Sequence, residues 1–103
     1  MILVPRPAAT AHLQGTPKQV AFALNVRGTL LPEIDQMRDE VAHRLKYGIV
    51  AEDDEPGLQA IVRAADCVAR VDRADWWIAQ RGRSVHSILA ENARRILAME
   101  TPA

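Results

Sequence analysis

The residues able to do chemistry are few and scattered. His12, His43, His86 and Cys67 are the imidazole and thiol groups of the chain. Their spacings match no metal signature such as a Cys-x-x-Cys pair or a His-Glu-x-x-His helix, so no metal site is expected. Ser84 and His86 stand two apart at a helix start and therefore do not face each other. There is no glycine-rich phosphate loop, nucleophile elbow or paired-carboxylate motif. Cys67 reads as a small packing residue. The sequence thus predicts a non-enzymatic protein with no catalytic residue and no cofactor.

What remains for a partner is charge and aromatic surface. Glu52, Asp53, Asp54 and Glu55 form an acidic run ahead of Pro56. Such a run either docks on the arginines of a partner or complements the positive end of the helix it precedes, at ~0.3–1 kcal/mol per charge. A second set is basic: Arg70, Arg73, Arg81, Arg83, Arg94 and Arg95. Arg81 and Arg83 flank Gly82 in a turn, and Ser84 opens the next helix. A guanidinium and a helix N-terminus there would suit an anion. Asp72, Asp75 and Glu91 are near enough in sequence to neutralise the set. Trp76 and Trp77 are adjacent, hence about 100° apart on a helix. One is expected to anchor the core and the other to lie at its edge or in solvent, where tryptophan beside arginine makes a binding hot spot. The candidate partner-binding residues are therefore Glu52, Asp53, Asp54, Glu55, Trp76, Arg81 and Arg83.

These residues must be held by a body of 103 residues, enough for one domain over 1–103 with its own core. Thirteen Lys and Arg balance thirteen Asp and Glu, which removes the long-range field of a dedicated nucleic-acid binder. The arginine-only basic set lies in residues 58–103, whereas 1–57 carries the acidic excess. A single cysteine allows no internal disulfide and, without a signal-peptide pattern, suits a reducing cytoplasm. The opening Met-Ile-Leu-Val run is too short to span a membrane.

The elements read as all-α: a compact bundle of about five helices behind an extended arm, 1–15, that packs through Ile2, Leu3 and Val4. Thr16 and Gln19 form a capping box around Pro17 and start a helix over about 17–30, with Val20, Ala23, Leu24, Val26 and Leu30 on its apolar side. Pro32 is expected to end or kink it. A second helix, about 33–47, carries Ile34, Met37, Val41 and Leu45, with an outer Glu40–Arg44 pair, and stops at Gly48 with apolar Ile49 behind it. A third, about 55–71, carries Leu58, Ile61, Val62, Ala65, Val68 and Ala69, with an outer Asp66–Arg70 pair. Asp72 is expected to cap a short fourth helix, about 73–81, which Gly82 ends. Ser84 caps a fifth, about 85–99, burying Val85, Ile88, Leu89, Ile96 and Met99, with Asn92 on that stripe either as a polar break at the core edge or as a buried amide that needs partners.

Two segments resemble a loosely defined group of small proteins of phages, plasmids and other mobile elements. One is Gly15-Thr16-Pro17-Lys18-Gln19 continuing to Arg27, with Phe22 where the group usually has tryptophan. The other is Ala74-Asp75-Trp76-Trp77-Ile78-Ala79-Gln80-Arg81. The resemblance implies no catalytic role. It implies an accessory protein of a mobile element, and by analogy an anti-CRISPR-like inhibitor of a host defence nucleoprotein complex. Phe22 or Val26 would then meet Trp76 or Trp77, and Arg27 or Arg81 would lie over an aromatic face or on a carboxylate. The expected partner is a host protein or nucleoprotein complex, with nucleic acid second, no membrane, and the chain itself a monomer or a homodimer.

Overall fold

A computed structural model of the protein describes residues 13–100. Most of the expected arm, with Ile2, Leu3, Val4 and His12, lies outside these residues. Within them the chain is all-helical, with four helices in place of the expected five: α1 Pro17–Tyr47, α2 Glu55–Ala69, α3 Ala74–Ala79 and α4 Val85–Glu100.

The first two expected helices are one. α1 runs 31 residues straight through Pro32, which at 1.5 Å per residue is about 46 Å. Its burial pattern shows why the break is overridden. Leu30 and Ile34, on either side of the proline, are both buried against the core, so both halves are held in one register. Pro32 itself and Gly28, whose carbonyl loses its amide donor, are exposed, which leaves that carbonyl open to solvent. The capping box forms as expected: the Gln19 N–H donates to Thr16 Oγ1 at 3.2 Å and the Thr16 N–H to Gln19 Oε1 at 3.0 Å. At the far end the Gly48 N–H donates to the Arg44 carbonyl at 2.8 Å.

α1 lies along α2 and α3, α2 packs on α4, and α1 touches α4 more lightly. The molecule is correspondingly flat, 46 × 44 × 23 Å. Its core is built largely on small residues: Ala23, Ala60, Ala64, Ala65, Ala74 and Ala93 are buried beside Ile34, Val68, Trp77, Val85, Ile88 and Leu89. Alanines at the contact let helix backbones approach closely. The expected stripe of α2 holds in part: Ala65 and Val68 are buried, but Leu58, Ile61, Val62 and Ala69 are only half-buried and Ala60 and Ala64 join the interior. Similar shifts leave Leu24, Ile49 and Met99 exposed. The expected Asp66–Arg70 pair is also replaced. Asp66 accepts from Arg38 of α1, Nε to Oδ1 at 2.6 Å, which ties α2 to α1. Glu40 accepts from Gln36 instead of pairing with Arg44.

Asp72 does not cap α3. Its side chain accepts from the Gln14 amide at 3.1 Å, and the Gln14 backbone does the capping. The Gln14 N–H donates to the Asp72 carbonyl at 2.6 Å and the Ala74 N–H to the Gln14 carbonyl at 2.9 Å, an isolated parallel bridge with Arg73. Gly15 permits this docking, because a Cβ there would stand 3.0 Å from the Ala74 Cβ. Gly82, at φ +77°, makes the left-handed turn from α3 toward α4. Ser84 then caps α4 as expected, accepting from the Ser87 N–H at 3.1 Å.

Candidate functional site

The tryptophan pair divides as its spacing requires. Trp77 is fully buried, and its indole N–H donates to the Val71 carbonyl at 2.9 Å. Trp76 is half-buried at the core edge and meets Trp77 edge to face, ring centroids 5.0 Å apart. Trp77 also receives Arg27 of α1, its guanidinium 5.7 Å from the ring centroid. Arg27 is a buried charge; of the aromatic face and the carboxylate expected for it or for Arg81, it takes the aromatic face, and it has a second contact that the sequence does not suggest. Its Nη2 donates to the Ala69 carbonyl at 3.3 Å, the last residue of α2. α2 has no basic residue in its own last turn, so α1 supplies the cation that complements the negative helix end. Burial pulls the Arg27 pKa below the usual guanidinium value while the Asp35 charge raises it; the group stays cationic.

Arg81 and Arg83, two residues apart, have opposite fates. Arg83 is engaged within the chain, donating to Gln80 Oε1 at 2.8 Å and to Glu91 Oε2 at 2.6 Å. Gln80 is buried and held by the Trp76 carbonyl at 3.0 Å, so it fixes Arg83 from behind. Glu91 also accepts from Arg95 at 2.7 Å. Arg81 instead lies over the Phe22 ring at 5.3 Å. It is exposed, and among the described residues it has no carboxylate at ion-pair distance. Beside it opens a small cleft of about 220 Å³ lined by Asn25, Val26, Thr29, Leu30, Arg81 and Gly82. That is below the roughly 300–1,000 Å³ of small-molecule sites and closer to the size of one large side chain. Phe22, which Arg81 covers, is 39% exposed.

The acidic run sits at the other end of α1. Glu52, Asp53, Asp54 and Glu55 are all exposed. Asp54 is the residue before α2 but makes no side-chain cap, and Glu55 in the first turn accepts from Gln59. Asp53 and Asp54 face a groove of about 670 Å³ between α2 and α4, with Arg44 and Arg94 among its lining residues. Sequence reading missed this groove because its walls come from three elements distant in the chain. Thus the structure brings Arg81 to Phe22 and Arg83 to Glu91, but keeps the acidic run apart from both.

The Arg83–Glu91–Arg95 cluster carries a pH signature. The hydrogen bond and charge of Arg83, aided by Arg95 and Arg94, hold the Glu91 carboxyl below its usual pKa despite some desolvation. A depressed folded-state pKa stabilises the fold above the unfolded value and loses that contribution as pH falls through the folded value. Urea midpoints are therefore expected to hold steady near neutrality and to fall once pH drops below the ordinary glutamate value of about 4.3. Glu91→Gln should start lower at neutral pH and flatten the acid limb; an unchanged limb would show that other carboxyls govern it.

Among the described residues no cluster of His, Cys, Asp and Glu is able to hold a metal ion, and no helix is long and apolar enough to cross a membrane. Cys67, expected to be partly buried, is exposed on α2. Comparison of the chain with protein-family models, with curated proteins and with solved structures finds no match in any of the three.

Proposed function

We propose that this protein is a non-enzymatic, cytoplasmic binding module that engages another protein through the Phe22–Arg81 surface. One observation carries the reading: an exposed guanidinium that lies over an exposed phenyl ring and also lines a small, mainly apolar cleft. Aromatic and arginine side chains beside a side-chain-sized pocket are the usual anchors of protein interfaces. Arg81 needs an acidic counterpart, so the partner presents a carboxylate next to an apolar side chain. The resemblance of the Gly15–Arg27 and Ala74–Arg81 segments to mobile-element proteins supports placing that partner in a host, with an anti-CRISPR-like inhibitor of a nucleoprotein complex as the specific form.

The test is affinity capture from a candidate host with wild-type protein and with Arg81→Glu and Phe22→Ala. A specific protein retained by wild type should be lost from both variants, with affinity falling by about thirtyfold or more, the ~2 kcal/mol of a hot spot. Retention undiminished in Arg81→Glu, or no specific protein from any host, would remove the reading.

Nucleic acid is the second reading, and Arg81 would serve it too. It is weaker because Arg73, Arg83 and Arg95 are already paired with Asp75 or Glu91. A DNA or RNA complex that weakens steeply with salt and disappears in Arg81→Glu would reverse this ranking.

A further inference from the structure

The groove at the acidic end differs from the rest of the surface in how its charges are used. Elsewhere basic and acidic side chains meet within the chain: Arg38 with Asp39 and Asp66, Arg63 with Glu100, Arg73 with Asp75, and Arg83 and Arg95 with Glu91. Around the groove they do not. Arg44, Asp53, Asp54 and Arg94 all line it, all are exposed, and among the described residues none forms an ion pair. Between these charges lies an apolar floor that includes Leu58, Ile61 and Leu97.

A knob stands beside the groove. Tyr47 is 67% exposed and Ile49 is completely exposed. Both lie on the short stretch of chain between Arg44 and Asp53, so groove and knob share one end of the molecule. An isoleucine left wholly in water gains when a second apolar surface covers it. This end thus combines a large uncovered aliphatic side chain with an apolar groove and charges of both signs that form no ion pair among the described residues.

We infer that this end is an interface with a second copy of the same chain. A two-fold interface requires a surface complementary to itself, and the charges of this one meet the requirement. The Ile49 knob of one copy enters the groove of the other. Asp53 and Asp54 of one copy face Arg44 and Arg94 of the other, and the two-fold axis repeats the contact. A partner of a single sign would leave half of these charges opposed by like charge. The zero net charge of the chain leaves no overall repulsion between copies. The proposal is independent of the Phe22–Arg81 surface, which lies elsewhere on α1.

Sedimentation velocity and light scattering over a concentration series test it. Wild type is expected at twice the chain mass of 11.4 kDa. Asp53→Arg with Asp54→Arg makes both lips basic, and Arg44→Asp with Arg94→Asp makes both acidic. Each double variant alone should be monomeric, its self-association weakened by about a hundredfold or more. Mixed together, the two should regain the dimer mass, because every contact is then between opposite charges. Recovery on mixing also shows that both variants are folded. Ile49→Asp should be monomeric with an unchanged helical circular dichroism spectrum. A wild type that stays monomeric at millimolar concentration overturns the inference, and so does a mixture that fails to regain the dimer.

Discussion

Trp77→Ala should cost about 3–5 kcal/mol, as for large aromatic truncations in cores, and leave the protein largely unfolded at ambient temperature if its total stability lies at the low end of about 5–15 kcal/mol. The site makes the large value the expected one. Trp77 is the largest fully buried side chain among the described residues, and it sits where α1 and α3 meet. Its removal opens a cavity, strands the Val71 carbonyl that accepts the indole N–H, and takes away the ring against which Arg27 is buried. Trp77→Phe separates these effects. It keeps part of the packing and a ring face for Arg27 but still loses the hydrogen bond, whose net worth is about 1 kcal/mol. Urea unfolding followed by circular dichroism gives both values. A Trp77→Ala variant within 1 kcal/mol of wild type, roughly the size of the hydrogen bond alone, would mean that Trp77 is not the anchor of this interface. Trp76→Ala should be milder, since that ring is only half-buried.

The opposite sign is expected at Pro32. A proline inside a helix costs ~3 kcal/mol relative to alanine. Here it deprives the Gly28 carbonyl of a donor and presses its ring toward that carbonyl. The ring is exposed, so Pro32→Ala forfeits no burial and restores the missing bond. Some of the gain is offset because alanine leaves the unfolded chain freer, by ~0.4–1 kcal/mol. A net stabilisation of about 2 kcal/mol is expected, which for a domain of this size raises Tm by on the order of 10 °C. Thermal unfolding by circular dichroism measures it. A neutral or destabilising result would show that the buried placement of Leu30 and Ile34 depends on a bend imposed at Pro32.

These two positions also mark what the sequence made legible. Features decided within one turn of chain were readable: the Thr16–Gln19 box, the Ser84 cap, the Gly82 turn and the division of labour between adjacent tryptophans. Features decided by a neighbouring helix were not. Pro32 reads as a break by its local chemistry, but burial of Leu30 and Ile34 on either side outweighs that cost. Asp66 has a partner four residues along its own helix, yet bonds Arg38 across the α1–α2 contact. In α2 the expected stripe holds at Ala65 and Val68, but close helix approach buries Ala60 and Ala64 ahead of the larger Leu58 and Ile61. The candidate residues followed the same rule. For Arg27 and Arg81 the paired segments leave an aromatic face or a carboxylate open, and packing puts both over rings. The groove was not legible, because Arg44, Asp53, Leu58 and Arg94 come together only through the packing of three helices.

The unbroken length of α1 has a consequence for geometry. Phe22 and Arg44 both belong to it, 22 residues apart within Pro17–Tyr47, which is about 33 Å of helix axis. It acts as a ruler between the stacked Phe22–Arg81 pair and the charged groove. Were two chains joined through the groove, their Phe22–Arg81 faces would be held at a set separation by two such rulers. A target repeating its epitope at that interval would be gripped twice, the second grip being intramolecular and raising avidity by roughly 10²–10⁴. A target showing the epitope once would gain nothing. The helix that ignores its own proline would in that case let the pair recognise the periodicity of an assembly as well as its chemistry.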